Sequence, residues 1–238
     1  MNHARGQAPA RGARIRRKGR EPIVTEPSFA DRAEAGRQLA DALREYAGRG
    51  DVVVLALPRG GVPVAYPVAC ALRAPLDVLV VRKLGVPFDP ELAMGAIATG
   101  GATHLQRSTI RAMDVSDAQL ADVIARETAE LHRREALYRG AAPPLAVEGR
   151  IAIVVDDGVA TGASMRVALQ ALRERHPARI VAAVPVAPAG AAHAFDGLAD
   201  AFVAVSQPLR FFGISQFYAR FDQTSDDEVR ALLDAARP

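Results

Sequence analysis

Short apolar runs recur along the chain, separated by longer stretches in which apolar positions return at helical spacing. Val52–Leu57, Leu76–Val81, Ile151–Val155, Arg179–Val186 and Ala201–Val205 are the runs. They are nearly continuous and rich in β-branched residues, the pattern of strands buried on both faces of a parallel sheet. Helices are expected between them. Ser28–Asp31 has the spacing of a capping box with Asp in the Glu position, and Phe29, Ala33, Ala40, Leu43 and Ala47 then mark one face up to Gly48. Gly36 inside that helix points to a close helix contact. Val62–Leu72 carries Pro63 in its first turn, where proline is tolerated, and Pro67 further in, where a kink is expected. Ser116 caps a long charged helix reaching about Tyr138 and ended by Gly140, and Val167–Arg175 and Gly190–Gly197 complete the set. Strands alternating with helices predict an α/β fold: a doubly wound, mainly parallel sheet of about five strands with right-handed crossovers.

Two stretches break the alternation. Leu84–Ala102 is rich in Gly and Pro and contains the small-residue run Met94–Ala98. It reads as a loop with a short strand, the base of a flap over about 84–115, with Glu91 as a solvent-facing acid. Gln207–Phe221 holds five of the chain's twelve Phe and Tyr residues. Aromatics so clustered either pin the C-terminal segment to the core or offer a face to a flat ligand.

Candidate chemistry concentrates in Ile151–Met165. The strand ends in adjacent carboxylates, Asp156 and Asp157, followed by a turn of small residues, Gly158, Val159, Ala160, Thr161, Gly162, Ala163 and Ser164, that leads into a helix near Met165. Such a turn gathers backbone N–H groups and hydroxyls at a positive helix end, which suits a phosphate monoester, and the acids before it can accept bonds from sugar hydroxyls. An acid that merely capped the next helix would explain one carboxylate, not two. Two further loops should reach the same sheet edge. Pro58-Arg59-Gly60-Gly61 follows the first strand, where glycines admit an anion close to the backbone and Arg59 adds a cation. Arg82 and Lys83 close the second apolar run, and the loops after Leu57 and Val155 should flank a topological switch point.

The run VVDDGVATGASM resembles the phosphoribosyl pyrophosphate (PRPP) motif of type I phosphoribosyltransferases, two acids and three residues followed by Thr-Gly-x-Thr/Ser. PRGG is similar to that family's pyrophosphate loop, and the VRK exit resembles orotate phosphoribosyltransferases. The resemblance covers most of Asp51–Val205. It implies Mg²⁺-dependent transfer of a phosphoribosyl group to a nitrogen nucleophile, a nucleobase being expected. It also implies that residues 158–164 hold the 5-phosphate, Asp156 and Asp157 the ribose hydroxyls, and Arg59, Gly60, Gly61, Arg82 and Lys83 the pyrophosphate. Asp157 and Lys83 are the expected catalytic residues. The metal is expected to be held through pyrophosphate, sugar and water, with no direct protein ligand. In several purine enzymes of the family a late aromatic stacks on the base, which makes Phe211, Phe212 and Tyr218 candidates. Ala160 departs from the hypoxanthine-guanine enzymes, which carry Asp there, and leaves the acceptor open. The alternative is a PRPP-sensing regulator that binds nucleic acid or a protein partner; intact PRGG and VRK loops favour the enzyme.

Charge alters the picture at one end only. The chain has 238 residues and a formal net charge of +3. Residues 1–20 hold seven of its thirty Lys and Arg and no acid, leaving twenty-three basic against twenty-seven acidic residues elsewhere. The expectation is a disordered basic tail over 1–22, through which alone nucleic acid would bind, and one domain over 23–238. No apolar run approaches the roughly 20 residues that span a bilayer, so a cytoplasmic protein is expected, with PRPP and a small-molecule acceptor as its partners and a homo-oligomer as its assembly. The lone Cys70 excludes an internal disulfide framework, and the five scattered histidines show no metal-ligand spacing.

Overall fold

The computed structural model describes residues 28–237; the basic tail expected over 1–22 lies outside them. The elements are α1 (Arg32–Ala42), β1 (Val52–Ala56), α2 (Gly61–Leu72), β2 (Leu76–Val78), β3 (Val81–Val86), β4 (Asp89–Ala98), β5 (Ala102–Leu105), α3 (Arg107–Ala112), α4 (Asp117–Arg139), β6 (Ile151–Val155), α5 (Ala163–Arg173), β7 (Arg179–Val186), β8 (Ala201–Ser206) and α6 (Asp226–Ala235).

Five strands form one parallel sheet in the order β2-β1-β6-β7-β8. From β1 the chain winds outward to β2, and from β6 outward the other way to β7 and β8. The switch point therefore falls between β1 and β6, whose residues pair from Val52↔Ile151 to Ala56↔Val155. The continuous apolar runs are explained by burial on both faces. Val52, Val54 and Ala56 pack with α1, α2, α4 and α6, while Val53 and Leu55 pack with α5 in a second core on the opposite face. α1 lies on α2 with Gly36 at the crossing, where a β-carbon would overlap the Val64 carbonyl oxygen.

Local expectations fail where tertiary pairing takes over. α1 is capped by Asp31, whose carboxylate accepts from Glu34 N (2.9 Å), and not by Ser28. Residues 29 and 30 are taken up by the C-terminal segment: Phe29 N donates to Phe217 O, Ala219 N to Phe29 O and Arg220 N to Ala30 O. The expected Leu76–Val81 strand is two strands in two sheets. Leu79 and Val80 carry the chain across, because Thr99 accepts from Val80 N through Oγ1 (2.9 Å) and donates its own N–H to Val80 O (2.9 Å).

Beyond that junction the expected loop with one short strand is a three-stranded antiparallel sheet, β3-β4-β5, in which the expected Met94–Ala98 strand is the end of β4. Its glycines do not break strands. A β-carbon on Gly95 would stand 2.5 Å from His104 O, so this glycine permits close strand approach. The expected 190–197 helix is a short 3-10 turn, Ala191–Phe195. α4 has the expected Ser116 cap, completed as a capping box by Gln119. Among the described residues, no helix is long and apolar enough to cross a membrane.

Candidate active site

β6 delivers Asp156 and Asp157 to the carboxyl edge of the sheet beside the end of β1, where Leu57 N donates to Val155 O (2.9 Å). The turn then folds back under itself. Val159 is buried and its N–H donates to Val186 O, so this side chain anchors the turn while its backbone stays at the rim. Gly162 takes a left-handed conformation (φ 76°) and enters α5 without a side-chain cap or an acidic first turn. The positive end of α5 therefore faces a cavity of about 180 Å³ lined by residues 156–165 and Ile214.

PRGG seats directly on the acids. A β-carbon on Gly60 would overlap the Asp157 carboxylate, and one on Gly61 would stand 2.6 Å from Val155 O and 3.1 Å from Asp156 Cα. The two loops thus meet with no room for a side chain between them. Asp156 Oδ1 accepts from Asp157 N (2.9 Å). Burial, then the neighbouring charge of Asp157, pushes the Asp156 carboxyl well above the usual range. Burial also raises Asp157, with Arg32 opposing it.

A second cavity of about 440 Å³ adjoins the first across Ala163 and Ser164 and is lined also by Pro58, Val81, Lys83 and Arg134. Arg82 and Lys83 diverge because neighbours on a strand project to opposite faces. Lys83 lines this cavity and pairs with the exposed Glu91 (3.3 Å). Arg82 turns to α4, where its guanidinium binds Glu127 (2.6 Å). Arg59 is half-buried on its loop, and its charge opposes the rise of the Tyr138 phenol, which burial and a bond to Asp226 push up to about 12.

The aromatic candidates part company. Tyr218 packs between Phe29 and Phe221, with centroids 5.3 and 4.9 Å away, and donates its hydroxyl to Asp157 O (2.6 Å). Its ring has no open face for a base, and its role is to pin the C-terminal segment to the acid turn. Phe211 stacks on Phe217, whereas Phe212 is 89% exposed.

Two residues at the site carry no sequence signal of it. Arg134 sits in a helix whose charge pattern is that of a solvated surface. Arg32 lies in the first turn of α1, yet reaches Asp157 across 125 positions of sequence. Its Nε and a terminal nitrogen each lie 2.9 Å from Asp157 Oδ2.

A family model for the phosphoribosyl transferase domain matches residues 29–206, and the chain belongs to that family. Proteins from two strains of Mycobacterium tuberculosis that carry the provisional name phosphoribosyl transferase are 49% identical over 208 residues, covering 87% of this chain and 47% of theirs. The chain thus spans about half the length of the curated relatives it matches. The crystal structure of TT1426 from Thermus thermophilus is 42% identical, with a TM-score of 0.76, covering 86% of this chain and 97% of that one.

Proposed function

We propose that the chain transfers the phosphoribosyl group of PRPP to a nitrogen nucleophile of the nucleobase class and releases pyrophosphate. The observation that carries this reading is the meeting of Gly60 with the Asp157 carboxylate. It joins the PRGG loop to the acid pair at the switch point, beside the N-terminus of α5, whose first turn carries no acid. In this reading the turn 158–164 holds the 5-phosphate through amides other than that of Val159, which is spent on Val186 O, while Asp156 and Asp157 accept the ribose hydroxyls and Lys83 with Arg59 faces the departing pyrophosphate. Charge develops on the leaving group as the sugar becomes oxocarbenium-like, so cations fixed beforehand stabilise that stage more than the ground state.

Among the described residues no group of three or more acidic, His or Cys side chains could hold a metal, and Asp157 is partly committed to Arg32. That donor set suits a Mg²⁺ ion carried by pyrophosphate, sugar and water; when bound, it neutralises the leaving group's charge. The test is a nucleobase panel with PRPP and Mg²⁺, scored by pyrophosphate release. Release that depends on one base class supports the reading. PRPP binding without release from any acceptor favours a sensor.

A further inference from the structure

Two adjacent carboxylates in an enclosed turn repel one another and lose hydration together, so one of them protonates unless a cation faces it. The described groups that face Asp157 are few. The PRGG loop brings only the Gly60 backbone against it, β6 brings Asp156, and the C-terminal segment brings the Tyr218 hydroxyl, which is spent on the Asp157 main-chain carbonyl. On α1, Asp31 is turned to Arg220 and to the Glu34 amide. Arg32 is the remaining group, and it is held from three sides. Its fork meets Asp157 Oδ2, another nitrogen donates to Asp222 O (2.6 Å), and the Phe221 ring lies 3.8 Å below the guanidinium carbon. Both partners of the pair are nearly closed from water, with side chains 12% and 13% exposed.

The two Asp157 oxygens are therefore not equivalent. Oδ2 is wedged between Arg32 and the position a Gly60 β-carbon would fill, whereas Oδ1 has no hydrogen-bond partner among the described residues. We propose that Arg32 is the positioning residue of the acid pair: it fixes Asp157 through Oδ2 and so presents Oδ1 to a ribose hydroxyl of PRPP. This rests on the phosphoribosyl reading above. A planar fork is needed for the role, because a lysine would supply charge but could not set two nitrogens against one carboxylate oxygen while a third donates to Asp222 O.

The experiment has one arm without ligand and one with it. In the first, the Asp157 carboxyl of the full chain is titrated by ¹³C NMR. Arg32→Met is expected to raise its midpoint by more than about one pH unit, since the opposing cation is gone while burial persists. Arg32→Lys should raise it less. In the second arm, PRPP binding by calorimetry at neutral pH is expected to weaken at least about tenfold in Arg32→Met and by an intermediate factor in Arg32→Lys, each read below its melting temperature. Phe221→Leu, which keeps the ion pair, should change affinity by less than about threefold. An unmoved Asp157 midpoint overturns the proposal. So does PRPP binding that is unchanged or tighter in folded Arg32 variants; tighter binding would mean that Arg32 blocks the acid. If Arg32→Met does not fold, Arg32→Lys alone decides by the same two readouts. Failure of the unaltered chain to bind PRPP overturns the phosphoribosyl reading itself, which a shifted titration with unchanged PRPP binding does not.

Discussion

Gly60 and Asp157 share one space: a β-carbon on the glycine would overlap Oδ2 of the carboxylate and stand 2.8 Å from its Cγ. Gly60→Ala is therefore expected to push Asp157 aside or spread the two loops. PRPP affinity should fall by about 1.5–3 kcal/mol, the range for a lost hydrogen bond to a charged group. Calorimetry on the variant checks this, and binding equal to that of the unaltered chain would remove the two-loop contact from the site.

Asp156 should limit stability. Its folded-state carboxyl titrates well above the ordinary value of 3.8, so the folded chain holds a proton that the unfolded chain releases in the window above 3.8. Stability from this group is fully present below that ordinary value and is lost as pH rises through the folded one. Asp156→Asn, whose amide oxygen can still accept from Asp157 N, is expected to raise the melting temperature at pH 7 and to change it little at pH 4. Each kcal/mol gained corresponds to about 2–4 °C for a chain of this size. Melting curves at the two pH values decide, and an equal shift at both would place the strain elsewhere.

Lys83 lines the larger of the two site cavities and not the one formed by the 158–164 turn. Lys83→Ala should consequently lower turnover more than it weakens ribose 5-phosphate binding. Steady-state rates compared with ribose 5-phosphate affinity make the distinction, and equal losses would move Lys83 to the sugar side.

Phe212 and Tyr218 should separate cleanly. Tyr218→Phe removes the bond to Asp157 O and is expected to cost about 0.5–1.5 kcal/mol of stability. If the exposed Phe212 covers a base, Phe212→Leu should raise the acceptor KM, with stacking worth about 1–3 kcal/mol per base, and leave PRPP affinity alone. Unaltered acceptor kinetics in that variant would leave Phe212 outside the site.

Much of this architecture is legible because its strands are buried on both faces, so Val52–Leu57, Ile151–Val155 and Arg179–Val186 stand out without any knowledge of their partners. The acid pair and the turn after it are equally local. What the chain hides is tertiary. Gly85 and Gly95 look like strand breakers until the close approach of Pro90 and His104 explains them. Ser28 looks like a helix cap until the segment around Phe217 claims its neighbours. α6 has a readable start, with Ser225 accepting from Glu228 N ahead of Val229, Leu232 and Leu233. Arg32 is silent because a basic residue in a first helical turn is ordinary, and only chain closure brings Asp157 to it.

The clasp between Val80 and Thr99 gives the flap a fixed fulcrum. β3 and β4 meet the body there, and the root of the hairpin is tied down further, by Arg82 bound to Glu127 of α4 and by the buried Leu84, Val86 and Met94. Lys83 is three residues from the clasp, an arm of about 10 Å, whereas Phe88 near the hairpin tip, 61% exposed, is eight residues out, or about 26 Å. Movement is therefore left to the exposed tip, and Lys83 keeps its place on the tied root while the end of the hairpin bends.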